Sequence, residues 1–134
     1  MITRTHHRRA FTLIELLTVV MVLGVLMAFA LPQYLGSIRD SRHKVANANG
    51  RAIMAGLMSV YIRLGADGSA RAAIDDAKVA KELGGSIPNN PCTGGNNLTT
   101  DYQLDKSGAQ FVIWPKSGTG CTVSELTKVT VTTP

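Results

Sequence analysis

The sequence predicts an α+β fold. One long N-terminal helix, half suited to a membrane and half amphipathic, should pack on a small antiparallel β-sheet. Three patterns predict it. Residues 11–31 form an apolar block broken by a single charge. Beyond Pro32, apolar residues recur at helical spacing as far as Leu64. After Tyr102 the pattern changes to short alternating runs separated by Gly, Ser and Pro. A period near 3.6 marks an amphipathic helix, and a period of two marks a half-buried strand.

Residues 1–9, MITRTHHRR, carry three Arg and no acid, and read as a cytoplasmic leader. His6 and His7 within it read as solvated residues rather than metal ligands. The apolar block from Phe11 to Leu31 is 21 residues, about 31 Å as a helix at about 1.5 Å per residue. That length matches a hydrocarbon core of about 30 Å. Glu15 is the only charge between Arg9 and Arg39. An acidic residue at mid-membrane costs about 3 kcal/mol, and less near an end, so a carboxylate kept here calls for a partner. An ordinary secretory signal is the rival reading, because Ala28-Phe29-Ala30 fits a small-residue cleavage site before Leu31. Against it, the apolar region exceeds the usual length of about 7–15 residues and contains Glu15.

Past Pro32 the residues Leu31, Leu35, Ile38, Val45, Ile53, Leu57, Val60 and Leu64 trace one helical face, interrupted by Arg42 and Asn49. Gly65 reads as the stop. A helix over 11–64 would hold 54 residues and run about 80 Å. Pro32 should kink it or open it locally, since proline lacks an N–H and crowds the preceding turn. Asp67-Gly68-Ser69 reads as a turn, with Ser69 as N-cap of a second, Ala-rich helix over 72–83 that Gly84-Gly85 ends.

Residues 86–100, SIPNNPCTGGNNLTT, read as a loop. Asn89, Asn90, Asn96, Asn97 and Asp101 offer oxygen atoms, but their spacing matches no calcium loop, and turn chemistry accounts for them. Strands are expected over 102–106 and 109–114, joined at Ser107-Gly108, and over 126–132. Trp114 reads as a core or interface anchor.

No catalytic constellation, phosphate-binding loop or metal set emerges, so neither enzyme activity nor a cofactor is expected. The net charge is +5. Arg4, Arg8 and Arg9 supply three of those charges, so the basic balance is partly a leader property and weak evidence for nucleic acid. Arg39, Arg42, His43, Lys44 and Arg51 form a basic cluster on the upper part of the first helix. Lipid head groups and neighbouring subunits explain this cluster more simply than DNA capture does.

Ala10-Phe11-Thr12-Leu13-Ile14-Glu15-Leu16 resembles the signal of type IV pilins and type II secretion pseudopilins. The resemblance covers about residues 8–40. It implies a pilin-like fold, cleavage by a prepilin peptidase between Ala10 and Phe11, and N-methylation of Phe11. It also implies a Glu, here Glu15, that directs assembly. Gly24 and Pro32 fall where many members carry helix-loosening residues. Ala10 departs from the family's usual Gly. The implied domains are a leader over 1–10, an assembly and transmembrane half over 11–32, and an extracytoplasmic head over 33–134.

Charge on either side of the span leaves orientation open, because Arg39, Arg42 and Lys44 lie just beyond it. The resemblance implies N-in and C-out in the cytoplasmic membrane before assembly, and a periplasmic or surface filament afterwards. Its implied partners are other filament subunits, the prepilin peptidase, the inner membrane and the assembly platform; nucleic acid is the weaker candidate. Cys92 and Cys121 in an exported head most simply form one disulfide, closing a 30-residue loop worth roughly 3 kcal/mol. Two free thiols are the alternative. Two functions compete: a structural filament subunit, or a monomeric membrane-anchored or secreted adhesin or DNA-binding module. Glu15 separates them, since a monomeric anchor has no use for it.

Overall fold

The computed structural model describes residues 11–119, 121, 122, 124 and 126–133. The chain forms two compact units that divide between Ser37 and Ile38. The first helix, α1, runs from Leu13 to Arg63 over 51 residues and contributes to both.

Local chemistry sets both ends of α1. Thr12 and Glu15 form a reciprocal capping box at its start. The Thr12 N–H and hydroxyl donate to Glu15 Oε2 at 3.0 and 2.8 Å, and the Glu15 N–H donates to Thr12 Oγ1 at 3.3 Å. At the other end Gly65 adopts φ +105°. Its N–H donates to the Ile62 carbonyl, and the Ala66 N–H donates to the Tyr61 carbonyl at 3.1 Å. This paired closure satisfies carbonyls that the helix end would otherwise leave open.

The opening expected at Pro32 does not occur, since the chain is helical through both Gly24 and Pro32. The proline ring fixes φ near −65°, a helical value, so the cost is one lost N–H and some crowding.

The buried face of α1 also differs from the expected stripe. It runs through His43, Ala46, Gly50, Ile53, Met54, Gly56, Leu57, Val60 and Tyr61. Val45 is 46% exposed and Leu64 39%, and Leu31 and Leu35 are exposed as well. Counting large apolar residues missed the small ones that allow close approach. A Cβ at Gly50 would lie 3.7 Å from Pro115, and one at Gly56 would press on Leu83 at 3.0 Å.

One helix was expected over 72–83; two short ones form, α2 (Gly68–Ala72) and α3 (Asp76–Glu82). Ser69 is not the N-cap. The Asp67 carboxylate accepts from the Ala70 N–H at 2.7 Å, and the Asp75 carboxylate accepts from the Lys78 N–H at 2.8 Å. Aspartate caps well, and a second cap eight residues after the first restarts the helix. Gly84 and Gly85 end α3 as expected.

The sheet is antiparallel, in the order β1 (Tyr102–Asp105), β2 (Gln110–Pro115), β3 (Val129–Thr132). Tyr102 faces Pro115 across the first pair, and Phe111 faces Val131 across the second. β3 is shorter than expected at its start. Leu126 instead packs on a small cluster of Ala46, Cys92 and Cys121, and the Thr127 N–H donates to Asn47 on α1 at 2.8 Å. The main core joins Ile53, Leu57 and Tyr61 of α1 to Val79, Leu98, Tyr102, Phe111 and Ile113. The Tyr61 and Phe111 rings meet edge to face at 5.2 Å.

Candidate assembly site

The N-terminal part of α1 is long and apolar enough to cross a membrane by length and composition, and none of that window is buried within the chain. Phe11 is 82% exposed, and Leu13, Leu17, Met21, Leu26 and Phe29 are exposed too. So large an apolar surface is not left to water; it needs lipid or protein around it. Glu15 is the one acidic residue in it.

In the single chain Glu15 is held by Thr12, as the capping box shows. Its carboxylate is therefore fixed at the start of the helix, where the dipole favours a negative charge. An ionised carboxylate has about four acceptor sites. The Thr12 bonds fall on one oxygen, so the carboxylate retains capacity for a further donor. The Thr12-x-x-Glu15 spacing is a readable capping signature that sequence reasoning passed over. Ala10, the residue before the expected cut, lies outside the described residues, whereas Phe11 stands one residue before Thr12 and Glu15 three after it at the helix start.

The cysteines do pair. Cys92 and Cys121 form a disulfide with a Cα–Cα distance of 5.5 Å. Asn90 organises the chain around it and is fully buried. Its side-chain NH₂ donates to the carbonyls of Asp101 and Lys116 at 2.6 and 3.0 Å, and its Oδ1 accepts from the Cys92 N–H at 2.9 Å. Every polar atom of this buried amide's carbonyl and amino ends is thus engaged, which is what lets it be buried. Gly118 meets the same segment: a Cβ there would overlap the Cys92 carbonyl oxygen. Asp101 closes the loop on its other side. Hydrogen bonds from the Asn97 N–H first, then from the Thr93 side chain, hold its carboxyl below the usual aspartate range. Tyr102 beside it donates to the Pro88 carbonyl at 2.8 Å. Burial pushes its phenol up to about 12.

Two residues had structural roles that their sequence context concealed. His43 reads as one of the basic cluster on the upper part of the first helix, yet it is buried, and its Nε2 accepts from the Thr122 N–H at 3.1 Å. Arg71 lies over the rings of Phe111 and Tyr61, with its carbon 4.8 and 5.7 Å from their centroids. It also donates to the Gly108 carbonyl and the Thr133 hydroxyl. The remaining cluster members Arg39, Arg42, Lys44 and Arg51 are exposed. No group of three or more potential metal ligands occurs among the described residues.

A family model described as the prokaryotic N-terminal methylation motif matches residues 5–31. No curated protein and no solved structure matches the chain. The matched segment contains Phe11, Thr12 and Glu15, the residues that build the start of α1. The long exposed apolar helix fits a membrane-anchored precursor. The methylation motif is the signature of type IV pilins and pseudopilins, and the chain carries that signature over residues 5–31.

Proposed function

We propose that the chain is a structural subunit of a type IV pilus or a type II secretion pseudopilus, cleaved between Ala10 and Phe11 and methylated on the new Phe11 amine. Residues 1–10 are then a leader, 11–32 the assembly and transmembrane half, and 33–134 the extracytoplasmic head. A prepilin peptidase and the assembly platform in the inner membrane are its processing partners. The subunit waits in that membrane with its N-terminus inside, and the filament extends into the periplasm or beyond the surface.

One observation carries this reading: a membrane-length helix with exposed apolar side chains and a single carboxylate, Glu15, fixed at its first turn. Cleavage places a positive amine at Phe11, four residues before that carboxylate. Inside a packed filament the surroundings are dry, so charges attract strongly, while desolvation offsets much of the gain. The result is register. An incoming subunit settles where its Phe11 amine meets the Glu15 of a subunit already in place, because a misaligned one leaves a buried charge unpaired. Glu15 can keep its Thr12 bonds and still accept from the amine. Gly24 and Pro32 supply the segment that loosens when the filament is loaded.

Intact mass of the protein extracted from membranes of cells with an active prepilin peptidase tests the reading. The expected species begins at Phe11 and carries one added methyl group. An uncut chain, or one beginning at Leu31, contradicts it.

A further inference from the structure

β2 sends Phe111, Ile113 and Pro115 into the core and leaves Val112 and Trp114 half-buried on the other face. The antiparallel register places Gln103 of β1 opposite Trp114. Lys128, one residue before β3, lies over the indole with its Nζ 4.6 Å from the ring centroid. Around this pair is an open cleft of about 330 Å³, lined also by Lys116, Ser117 and Leu126. That volume is at the small end of ligand clefts, which run from roughly 300 to 1,000 Å³.

The lining is chemically one-sided. Among the described residues it presents two ammonium groups and no carboxylate. Both ammoniums are prepositioned: Lys128 by the indole, and Lys116 by donation to the Thr99 carbonyl at 2.6 Å. The Asp101 carboxylate acts on Lys116 from outside the cleft. Gln103 and Ser117 add an amide and a hydroxyl beside one aromatic and one aliphatic surface.

We propose that this cleft binds a uronate unit of an acidic polysaccharide. The sugar carboxylate would meet Lys128 above the ring and Lys116 beside it. The apolar C–H face of the pyranose would rest on Leu126, since Lys128 already lies over the indole face. Gln103 and Ser117 would take ring hydroxyls. A nucleic acid strand fits less well. A base would stack on the ring face, which Lys128 covers. A neutral sugar would bring no anion to either ammonium. The proposal is independent of filament assembly, because every residue in it belongs to the head.

Trp114 is the only tryptophan in the chain, so its fluorescence reports from the cleft alone. The full chain in neutral detergent micelles is titrated with trigalacturonate, and separately with a neutral glucose trimer and with oligothymidylate. Trigalacturonate should give a saturable change at least about tenfold tighter than the neutral trimer. Lys128→Gln should weaken it about tenfold, equivalent to one charge-assisted hydrogen bond. Lys116→Gln, which leaves the indole–ammonium pair intact, should do likewise. If Lys128→Gln loses its near-ultraviolet circular dichroism, Lys116→Gln is the deciding variant. No saturable change, an equal response to the neutral trimer, tighter binding of oligothymidylate, or wild-type affinity in a folded Lys116→Gln protein would overturn the proposal.

Discussion

Removing the disulfide should destabilise the head by at least about 3 kcal/mol. The bond links Cys92 to Cys121 at a sequence separation of 29. Releasing a loop of that length restores chain entropy to the unfolded state worth about 3–4 kcal/mol. Two further losses add to it. The small cluster of Ala46, Cys92, Cys121 and Leu126 loses its centre, and the Cys92 N–H bond to Asn90 loses its tether. For a unit of about 100 residues, each kcal/mol moves Tm by roughly 4–8 °C, so the drop should be at least about 12 °C. The variant is Cys92→Ser combined with Cys121→Ser, which leaves no lone thiol to form stray bonds. The assay is thermal melting of the full chain in micelles, followed in the near ultraviolet. Trp114 and the head tyrosines report there, whereas the micelle-bound helix dominates the far ultraviolet. A Tm within about 3 °C of wild type would refute the account. So would two reactive thiols on labelling the native protein without reductant.

Three other outcomes follow from the same geometry. Gly118→Ala should destabilise the head by about 1–3 kcal/mol, because the new Cβ meets the Cys92 carbonyl and the backbone must move; an unchanged urea midpoint would count against the close approach. The stability contributed by Asp101 and Asp75 should be level above about pH 5 and fall below about pH 4. The Asp101 carboxyl is held low by the Asn97 N–H and Asp75 by the Lys78 side chain, so their contributions are complete above the ordinary aspartate value and fade as pH falls through the lowered ones. A Tm that rises on acidification would reverse that sign. In an assembled filament, the segment from Gly24 to Pro32 should be the first part of α1 to lose helical bonds under load; a helix that stays closed through Met21–Leu35 in filaments held at extension would count against it.

The larger elements were legible because their signals are long or periodic. Fifty-one residues of helix left a clear pattern, and the β1–β2 hairpin announced itself through Ser107-Gly108 between apolar runs. The misses came from small or polar residues. Ala46, Gly50 and Gly56 carry no hydrophobic weight, yet they set the face of α1 that packs closely. Asp67 reads as part of a turn and Asp75 as an early helix acid, but each caps a separate helix. His43 and Asn90 are buried because each finds partners far along the chain, 79 residues away for His43 and 26 for the farther carbonyl bound by Asn90. No local pattern encodes such pairings. At the candidate site the position of Glu15 was legible, and so was its capping by Thr12, whose spacing is a capping signature that the apolar pattern around it masked.

Whether the carboxylate at Glu15 sets subunit register is tested most directly by Glu15→Gln, which keeps the shape of the side chain and removes its charge. The variant is expressed in the native host lacking the wild-type gene, and the membrane-bound and sheared-filament fractions are quantified. Insertion, cleavage and the disulfide-bonded head should be unchanged, since none of them uses this charge. Incorporation should fall on the order of a hundredfold, because each Phe11 amine entering the filament would remain an unpaired buried charge. Wild-type amounts of Glu15→Gln in the sheared filaments would contradict the account.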